Sequence, residues 1–420
     1  MRKIKTKLKL FISLTFLFLM IFSFNKSFAT DDNEITCRNA IVYDLQNDSI
    51  LYSKGAFDKI YPASTTKILT ASLTIENLDL NKSVVVSQKI IDELPPYSSS
   101  MKLKTGELIK VNDLLYGLML SSGNDAALVL AETISYSTKD FVDLMNKKAT
   151  EIGCKNTHFN NPHGYHDDNH YTTAYDMALI LKYALNNETF RELISTIKYD
   201  ISATNTSEIR ECINTNKLIN PEFEEYFYEF CIGGKTGYTE EAINTLITYG
   251  TKDGKEIIVG VFGNNTGHQF INSKNLYENT FNNFSFKNII NASNFKINIH
   301  DSKNTSLIYE LIPSQDINSL LNDKNYSITY LNINIDYDTL EKNIKNKTVG
   351  SVDIIINGEN ILINRSCDLI INNITYNKNE INYIFWIKLI LIIILTISVL
   401  TLLIIKIITR IKNKDLDTSL

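Results

Sequence analysis

The chain has 420 residues, 44% of them hydrophobic, and a net charge of −5, which is long enough for more than one domain and too apolar for a disordered polypeptide. The charge is unevenly spread: residues 1–29 carry six Lys/Arg and no acid, residues 384–420 five Lys/Arg and two Asp, and residues 30–383 thirty-one basic against forty-five acidic side chains, a net of −14. So acidic a middle argues against nucleic acid or an anionic membrane surface as its partner, and leaves open a polymer reached outside the cell.

Residues 1–29 read as a secretory signal. Arg2, Lys3, Lys5, Lys7 and Lys9 form a basic start, Leu10 to Phe24 an apolar core too short for a comfortable span, and Ser27-Phe28-Ala29 a small-x-small cleavage site. At the other end, residues 384–405 are almost wholly Ile, Leu, Phe, Val and Thr, with Lys388 near the outer edge and Lys406, Arg410, Lys412 and Lys414 following. That pattern predicts a single transmembrane helix over 384–405, a cytoplasmic tail over 406–420, and an exported region held at the extracytoplasmic face of the cell membrane. Five cysteines (Cys37, Cys154, Cys212, Cys231, Cys367) follow no metal-ligand or disulfide-framework spacing and read as small buried hydrophobes.

In chain order, two short strands (40–44 and 49–53) form a hairpin directly ahead of Tyr61-Pro62-Ala63-Ser64-Thr65-Thr66-Lys67. Residues 65–79 have helical spacing. A brief strand at 84–86 and a polar loop, Pro95-Pro96-Tyr97-Ser98-Ser99-Ser100, precede a helical pattern from Val111. That pattern breaks at Ser121-Ser122-Gly123-Asn124-Asp125 and resumes to Ile134, as a helix end followed by a new cap at Asn124 or Asp125. Residues 158–170 hold four of the six histidines (His158, His163, His166, His170). The i, i+4 spacing of His166 and His170 suits zinc, but Pro162 and Gly164 make the stretch a loop, so no metal and no cofactor is expected. Residues 175–185 are helical. Cys231 to Thr239, with Gly233, Gly234 and Gly237 around a Lys-Thr pair, reads as an edge strand approached closely by another part of the chain. It is not a phosphate-binding loop, because Glu229 stands where the first glycine is required. Residues 243–249 and 256–262, joined at 251–254, are the clearest hairpin. Strands at both ends of 34–265 and helices between them predict an α+β fold: an antiparallel sheet built from the two ends, with an inserted helical region. Residues 286–380 turn to Asn/Ile-rich alternation and predict a small all-β domain. The expected organisation is 1–29 signal, 30–285 α+β domain, 286–380 β-rich domain, 384–405 span and 406–420 tail.

A serine followed three residues later by a lysine shares one helical face with it, near free N–H groups at the helix start. By itself the spacing is commonplace, met equally by a helix cap and a solvated lysine. Three motifs in order change that weight: Ser64-x-x-Lys67, Ser122-Gly123-Asn124 and Lys235-Thr236-Gly237 together are the set found in penicillin-binding proteins and class A β-lactamases. With Asn161-Pro162-His163-Gly164 and Gly234 to Thr239, the chain resembles the low-molecular-mass penicillin-binding proteins that are serine-type D-alanyl-D-alanine carboxypeptidases. The resemblance is strong over about 34–285 and weak beyond. It implies a penicillin-binding/β-lactamase-like catalytic domain and removal of the terminal D-alanine from peptidoglycan stem pentapeptides, with β-lactams as inhibitors. It also implies roles. Ser64 is the nucleophile, Lys67 its base and Ser122 a proton relay. Asn124 binds the peptide amide, Lys235 and Thr236 meet the terminal carboxylate, and Gly237 and Tyr238 line the strand, with Ser64 and Tyr238 N–H groups as oxyanion hole. Two departures stand out: Ala242-Ile243 where the family shows Ala-Gly, and Tyr165 where it shows Leu. A β-lactamase is the first alternative, weakened because 155–185 contains no glutamate. A non-catalytic sensor is the second, weakened by a tail too short for an output domain.

Overall fold

The structure is a computed structural model, and it describes residues 35–300, 307–323, 327–340, 342, 346–358, 361–376 and 387–393. The predicted signal, 1–29, and most of the predicted span, 384–405, lie outside the described residues. Residues 387–393 are helical, and among the described residues no helix is long and apolar enough to cross a membrane.

The chain opens with the hairpin β1 (Asn39–Asp44) and β2 (Ser49–Lys54). A 3-10 turn (Ala63–Thr66) leads into α1 (Lys67–Asn77). A small hairpin, β3 (Ser83–Val85) and β4 (Leu108–Lys110), brackets α2 (Gln88–Glu93). Then come α3 (Val111–Met119), α4 (Asn124–Ser135), α5 (Thr138–Ile152), α6 (Ala174–Ala184) and α7 (Glu188–Ser195). A second small hairpin, β5 (Lys198–Ile201) with β6 (Arg210–Ile213), follows. The chain returns to the main sheet with β7 (Cys231–Thr239), β8 (Ile243–Lys252) and β9 (Lys255–Asn264), and α8 (His268–Asn283) closes this part.

The main sheet is antiparallel, in the order β2-β1-β9-β8-β7. It is built from the two ends of the segment with helices inserted between them, as the pattern predicts, and β7 is an edge strand. The two-residue turn joining β8 to β9 places both Asp253 (φ +52°) and Gly254 (φ +77°) in the left-handed region, the requirement of a tight hairpin. Strand alternation sorts side chains between two cores. Ile41, Tyr43, Ile258 and Phe262 point into the larger core with α1, α3, α4 and α6. Their neighbours Ala40, Val42, Ile257, Val259 and Val261 point to the other face, against Phe270, Leu276 and Tyr277 of α8. A sheet covered on both faces explains why β9 reads as an unbroken apolar run.

Beyond α8, β10 (Phe284–Ile290) pairs with β13 (Ile317–Asn322). A five-stranded sheet runs β11 (Ile297–His300), β12 (Leu307–Pro313), β16 (Ile361–Tyr376), β15 (Thr348–Gly358), β14 (Ser327–Ile335). Its cores are small and apolar, one around Val352, Ile354 and Leu369, another around Tyr309, Leu311 and Ile371. All five cysteines are free; four are buried and Cys154 is half-buried.

Candidate active site

The serine does not open the α-helix directly, as its spacing predicts. Ser64 lies in the 3-10 turn, and α1 begins at Lys67. The cause is local: Ala63 takes φ +50°, and Pro62 O accepts from Thr65 N–H at 3.3 Å and Thr65 Oγ1 at 2.7 Å, closing an i→i+3 turn. Thr245 Oγ1 of β8 donates to the same oxygen at 3.2 Å, tying the turn to the sheet.

Lys67 is fully buried, with three partners at Nζ: Ser64 Oγ at 2.8 Å, Asn124 Oδ1 at 2.7 Å and the His163 backbone oxygen at 2.7 Å. Burial, reinforced by the Lys235 charge and opposed by Asp125, holds the amine well below the ordinary lysine range. Nζ is placed to donate to all three oxygens. When the amine gives up its proton, the two carbonyl-type oxygens keep both remaining N–H groups and the lone pair turns to the Ser64 hydroxyl.

Each partner is held in turn. Gly123 rather than Asn124 or Asp125 is the cap residue of α4, and Asn124 is its first helical residue. Ser122 just before it sits at φ +58° and is buried. Asn124 N–H donates to Ser99 O at 2.8 Å. The Asp125 carboxylate accepts from Ser100 Oγ at 2.6 Å and from the Met101 and Leu103 N–H groups at 3.0 Å each, fastening the 95–103 loop over the site. On the other side, Thr70 Oγ1 donates to Pro162 O at 2.6 Å, and Asn161 Oδ1 accepts from Gly164 N–H at 2.7 Å. Gly164 has φ +84°, and a Cβ there would lie 1.8 Å from Ala63 O, so only glycine lets this loop close against the serine turn.

Of the four clustered histidines, two are structural. Asn160 N–H donates to His170 Nδ1 at 3.0 Å, which places the ring hydrogen on Nε2, and that N–H donates to Thr66 Oγ1 at 2.8 Å. Burial lowers His170 to about 3 and His163 well below its usual value, so both are neutral. His166 instead stands edge-on to Tyr61 and 3.7 Å from Glu241. Among the described residues no group of three or more His, Cys, Asp or Glu is placed to hold a metal ion.

From the third motif, Thr236, Gly237 and Tyr238 face the same cleft as Ser64, Ser122 and Asn124. A Cβ at Gly237 would stand 2.8 Å from Ser64 N, so this glycine lets the edge strand lie against the serine's own backbone. Lys235 is placed differently. It is 1% exposed, its Nζ donates to Thr236 O at 3.0 Å, and burial lowers it to about 7. Thr236 Oγ1 pairs with Thr215 Oγ1 at 2.5 Å. The cleft has a volume of ≈ 880 Å³, in the range of small-ligand sites.

Several of these parts escape a side-chain reading of the sequence. The His163 contribution is a backbone oxygen, and Asp125, expected as a candidate helix cap, instead fastens the 95–103 loop. Thr215 and Lys217, which also line the cleft, lie in no motif.

The D-alanyl-D-alanine carboxypeptidase profile of the S11 peptidases matches residues 26–266. The chain belongs to this family. As a member it is a serine peptidase, and the family match spans the main sheet and all the helices between its strands. Among relatives, D-alanyl-D-alanine carboxypeptidase DacF of Bacillus subtilis (strain 168) is 36% identical over 269 residues, 62% of this chain and 67% of that one. The D-alanyl-D-alanine carboxypeptidase of Streptomyces sp. (strain K15) is 35% identical over 221 residues, 50% of this chain and 74% of that one. The crystal structure of the Streptomyces K15 DD-transpeptidase superposes with a TM-score of 0.55 at 30% identity, over 59% of this chain and 98% of that chain. The crystal structure of DacD from Francisella tularensis gives 0.63 at 21% identity over 82% and 94%, a likeness of fold that runs on past the family match.

Proposed function

We propose that the cleft removes the terminal D-alanine from peptidoglycan stem pentapeptides through an acyl-enzyme on Ser64, and that β-lactams acylate the same oxygen. The observation that carries this reading is the three-way coordination of a buried Lys67 whose amine burial holds well below the ordinary lysine range. With the lone pair of Lys67 facing it, Ser64 Oγ attacks the penultimate D-alanine carbonyl as its proton moves to Nζ. The oxyanion is met by the N–H groups of Ser64 and Tyr238, a pairing supported by the close approach at Gly237. The C–N bond then breaks. The leaving amine takes a proton from Lys67, relayed by Ser122, and departs as D-alanine, leaving an ester on Ser64. Water, deprotonated by Lys67, attacks the ester and frees Ser64. Asn124 holds Lys67 and meets the substrate amide. Lys235 supplies positive potential behind Thr236 and lowers Lys67, so that the amine between turnovers is free to accept the Ser64 proton.

The residue patterns at the two ends support an extracytoplasmic site for this chemistry, after a cleaved signal and ahead of one membrane span over 384–405. External protease acting on intact cells should digest 30–383 and spare 406–420; a protected catalytic region would overturn this placement.

The deciding experiment is D-alanine release from a muramyl pentapeptide ending in D-Ala-D-Ala, run beside covalent labelling by a fluorescent penicillin, on the wild-type chain and on Ser64→Ala. Release and labelling by the wild type and neither by the variant is the expected result. Labelling that persists in Ser64→Ala removes the serine from its role.

A further inference from the structure

The cleft contains a cation that no motif marks. Lys217 opens a short 3-10 turn (Lys217–Ile219), and its ammonium sits 4.9 Å from the Phe223 ring, 5.1 Å from Tyr226 and 5.8 Å from Phe270. Lys217, Tyr226 and Phe270 all line the cleft. Rings at these distances hold a positive charge in place while leaving its N–H groups free for an anion.

The segment that carries Lys217 is built to be rigid. Asn214 is buried; its Nδ2 donates to Thr196 O at 2.9 Å, and its Oδ1 accepts from Asn216 N–H at 2.9 Å. Asn216, also buried, caps the turn by accepting from Leu218 N–H at 3.2 Å. Between them Thr215 bonds Thr236 of the edge strand. Two hydroxyls joined by one hydrogen bond use one of their two hydrogens, so this pair retains an O–H to give to a further acceptor. Gln269, only 8% exposed, lines the same cleft, and its Oε1 has no partner among the described residues. A half-turn of the carboxamide presents its NH2 group at that position instead.

Lys235, the cation the motif suggests for the terminal carboxylate, is buried behind the strand with its amine on Thr236 O. Burial lowers its amine to about 7, well below the ordinary lysine range.

We propose that Lys217, with the Thr215–Thr236 hydroxyl pair and the Gln269 amide, is the direct recognition site for the substrate's C-terminal carboxylate, and that Lys235 acts from behind as a tuning charge. Lys217 is thus a specificity-determining residue for peptides that end in a free carboxylate. The inference rests on the carboxypeptidase reading and refines it.

The test uses the full chain as wild type, Lys217→Ala and Lys217→Arg. Two pairs of probes differ only in charge: a D-Ala-D-Ala peptide with a free carboxylate against its C-terminal amide, and benzylpenicillin against its methyl ester. A hydrogen-bonded charge lost from a site costs about tenfold to a hundredfold. Lys217→Ala should lose that much kcat/KM on the free acid, carried mainly in KM, less than about twofold on the amide, and Lys217→Arg should recover most of it. The acylation rate by benzylpenicillin should fall in the same proportion and that by the ester should not. Equal losses on charged and uncharged probes, or no loss on either, overturn the proposal. If the wild type is acylated by penicillin but releases no D-alanine, the carboxypeptidase reading fails, and the penicillin pair still decides the role of Lys217.

Discussion

Residues 35–283 and residues 284–376 are both built on antiparallel sheet, yet they bury different things. In the first part the interior holds Thr65, Thr66, Lys67, Asn124, Asp125, His163, His170, Asn214, Asn216 and Lys235. In the second, Ser319 is the one buried polar side chain among the described residues, and the cores are Ile, Leu, Val, Tyr and Cys. Buried polar groups are costly unless fully bonded. Their concentration in one part therefore marks where the fold gives up apolar packing to fix positions: Lys67 is bonded to Ser64, Asn124 and the His163 oxygen, and Asp125 and His170 fasten the loops on either side. The lesson is that function here is recognisable as the place where ordinary core composition is suspended.

The contrast can be broken first at its centre. Lys67→Met keeps the volume and removes the base; acylation by penicillin should fall by about three orders of magnitude or more with the far-UV spectrum unchanged. A residual rate within tenfold of wild type would mean that another group takes the Ser64 proton. Gly164→Ala comes next, because its methyl group meets Ala63 O. Displacing the serine turn by a fraction of an ångström should cost about a hundredfold in kcat/KM, whereas Gly254→Ala, at a tip where a Cβ meets nothing, should leave activity within twofold. The other part of the molecule supplies the converse. Leu369→Ala hollows a fully buried site and should destabilise by roughly 2–5 kcal/mol while kcat for D-alanine release, measured below the melting transition, stays within twofold. A matching loss of kcat would show that the β-rich part shapes the site.

The pH dependence sharpens the same contrast. Lys235 lowers Lys67, so Lys235→Met should let Lys67 rise, and the acid limb of penicillin acylation should move to higher pH; an unmoved limb would uncouple the two amines. Stability follows from the sign of the shift. The folded amine of Lys235 is near 7 and the unfolded one near its usual 10.5. Above pH 7 the unfolded chain therefore binds more protons, and this lysine makes stability increase with pH. Urea midpoints taken from pH 7 to 9.5 should show a steeper rise in wild type than in Lys235→Met. The smallest expected effect is at Ile243, a β-branched residue at φ +57° where the resembling family carries glycine. Ile243→Gly should raise stability by about 1 kcal/mol or less, strain relief being partly offset by unfolded-chain entropy.

The elements of the fold were legible where one rule governs one residue. Short apolar runs bounded by turn residues placed β1, β8 and β9, and the Lys-Thr-Gly glycines announced an edge strand with something against it, which is the serine turn itself. What was not legible is what depends on partners distant in the chain or on the backbone. Lys217 stands in no motif, and the rings around it come from 223, 226 and 270, too scattered in the chain to single it out. The left-handed φ of Ala63 is not alanine's own preference, and the turn that contains it packs against Gly164 and is bonded at Pro62 O by Thr245. The histidine loop offered a zinc spacing, and the structure spends His163 and His170 as neutral wedges instead.

The third bond on Lys67 goes to a main-chain oxygen. Replacing the His163 side chain leaves that oxygen in existence, so the contact is robust to change at the residue that makes it. Its fragility has been passed one position along, to Gly164, whose missing side chain is what allows the oxygen to reach Lys67. In a population of variants the proposed base would therefore be lost through a neighbour that makes no bond to the amine, and the tolerance map of the loop would be inverted relative to its hydrogen-bond map.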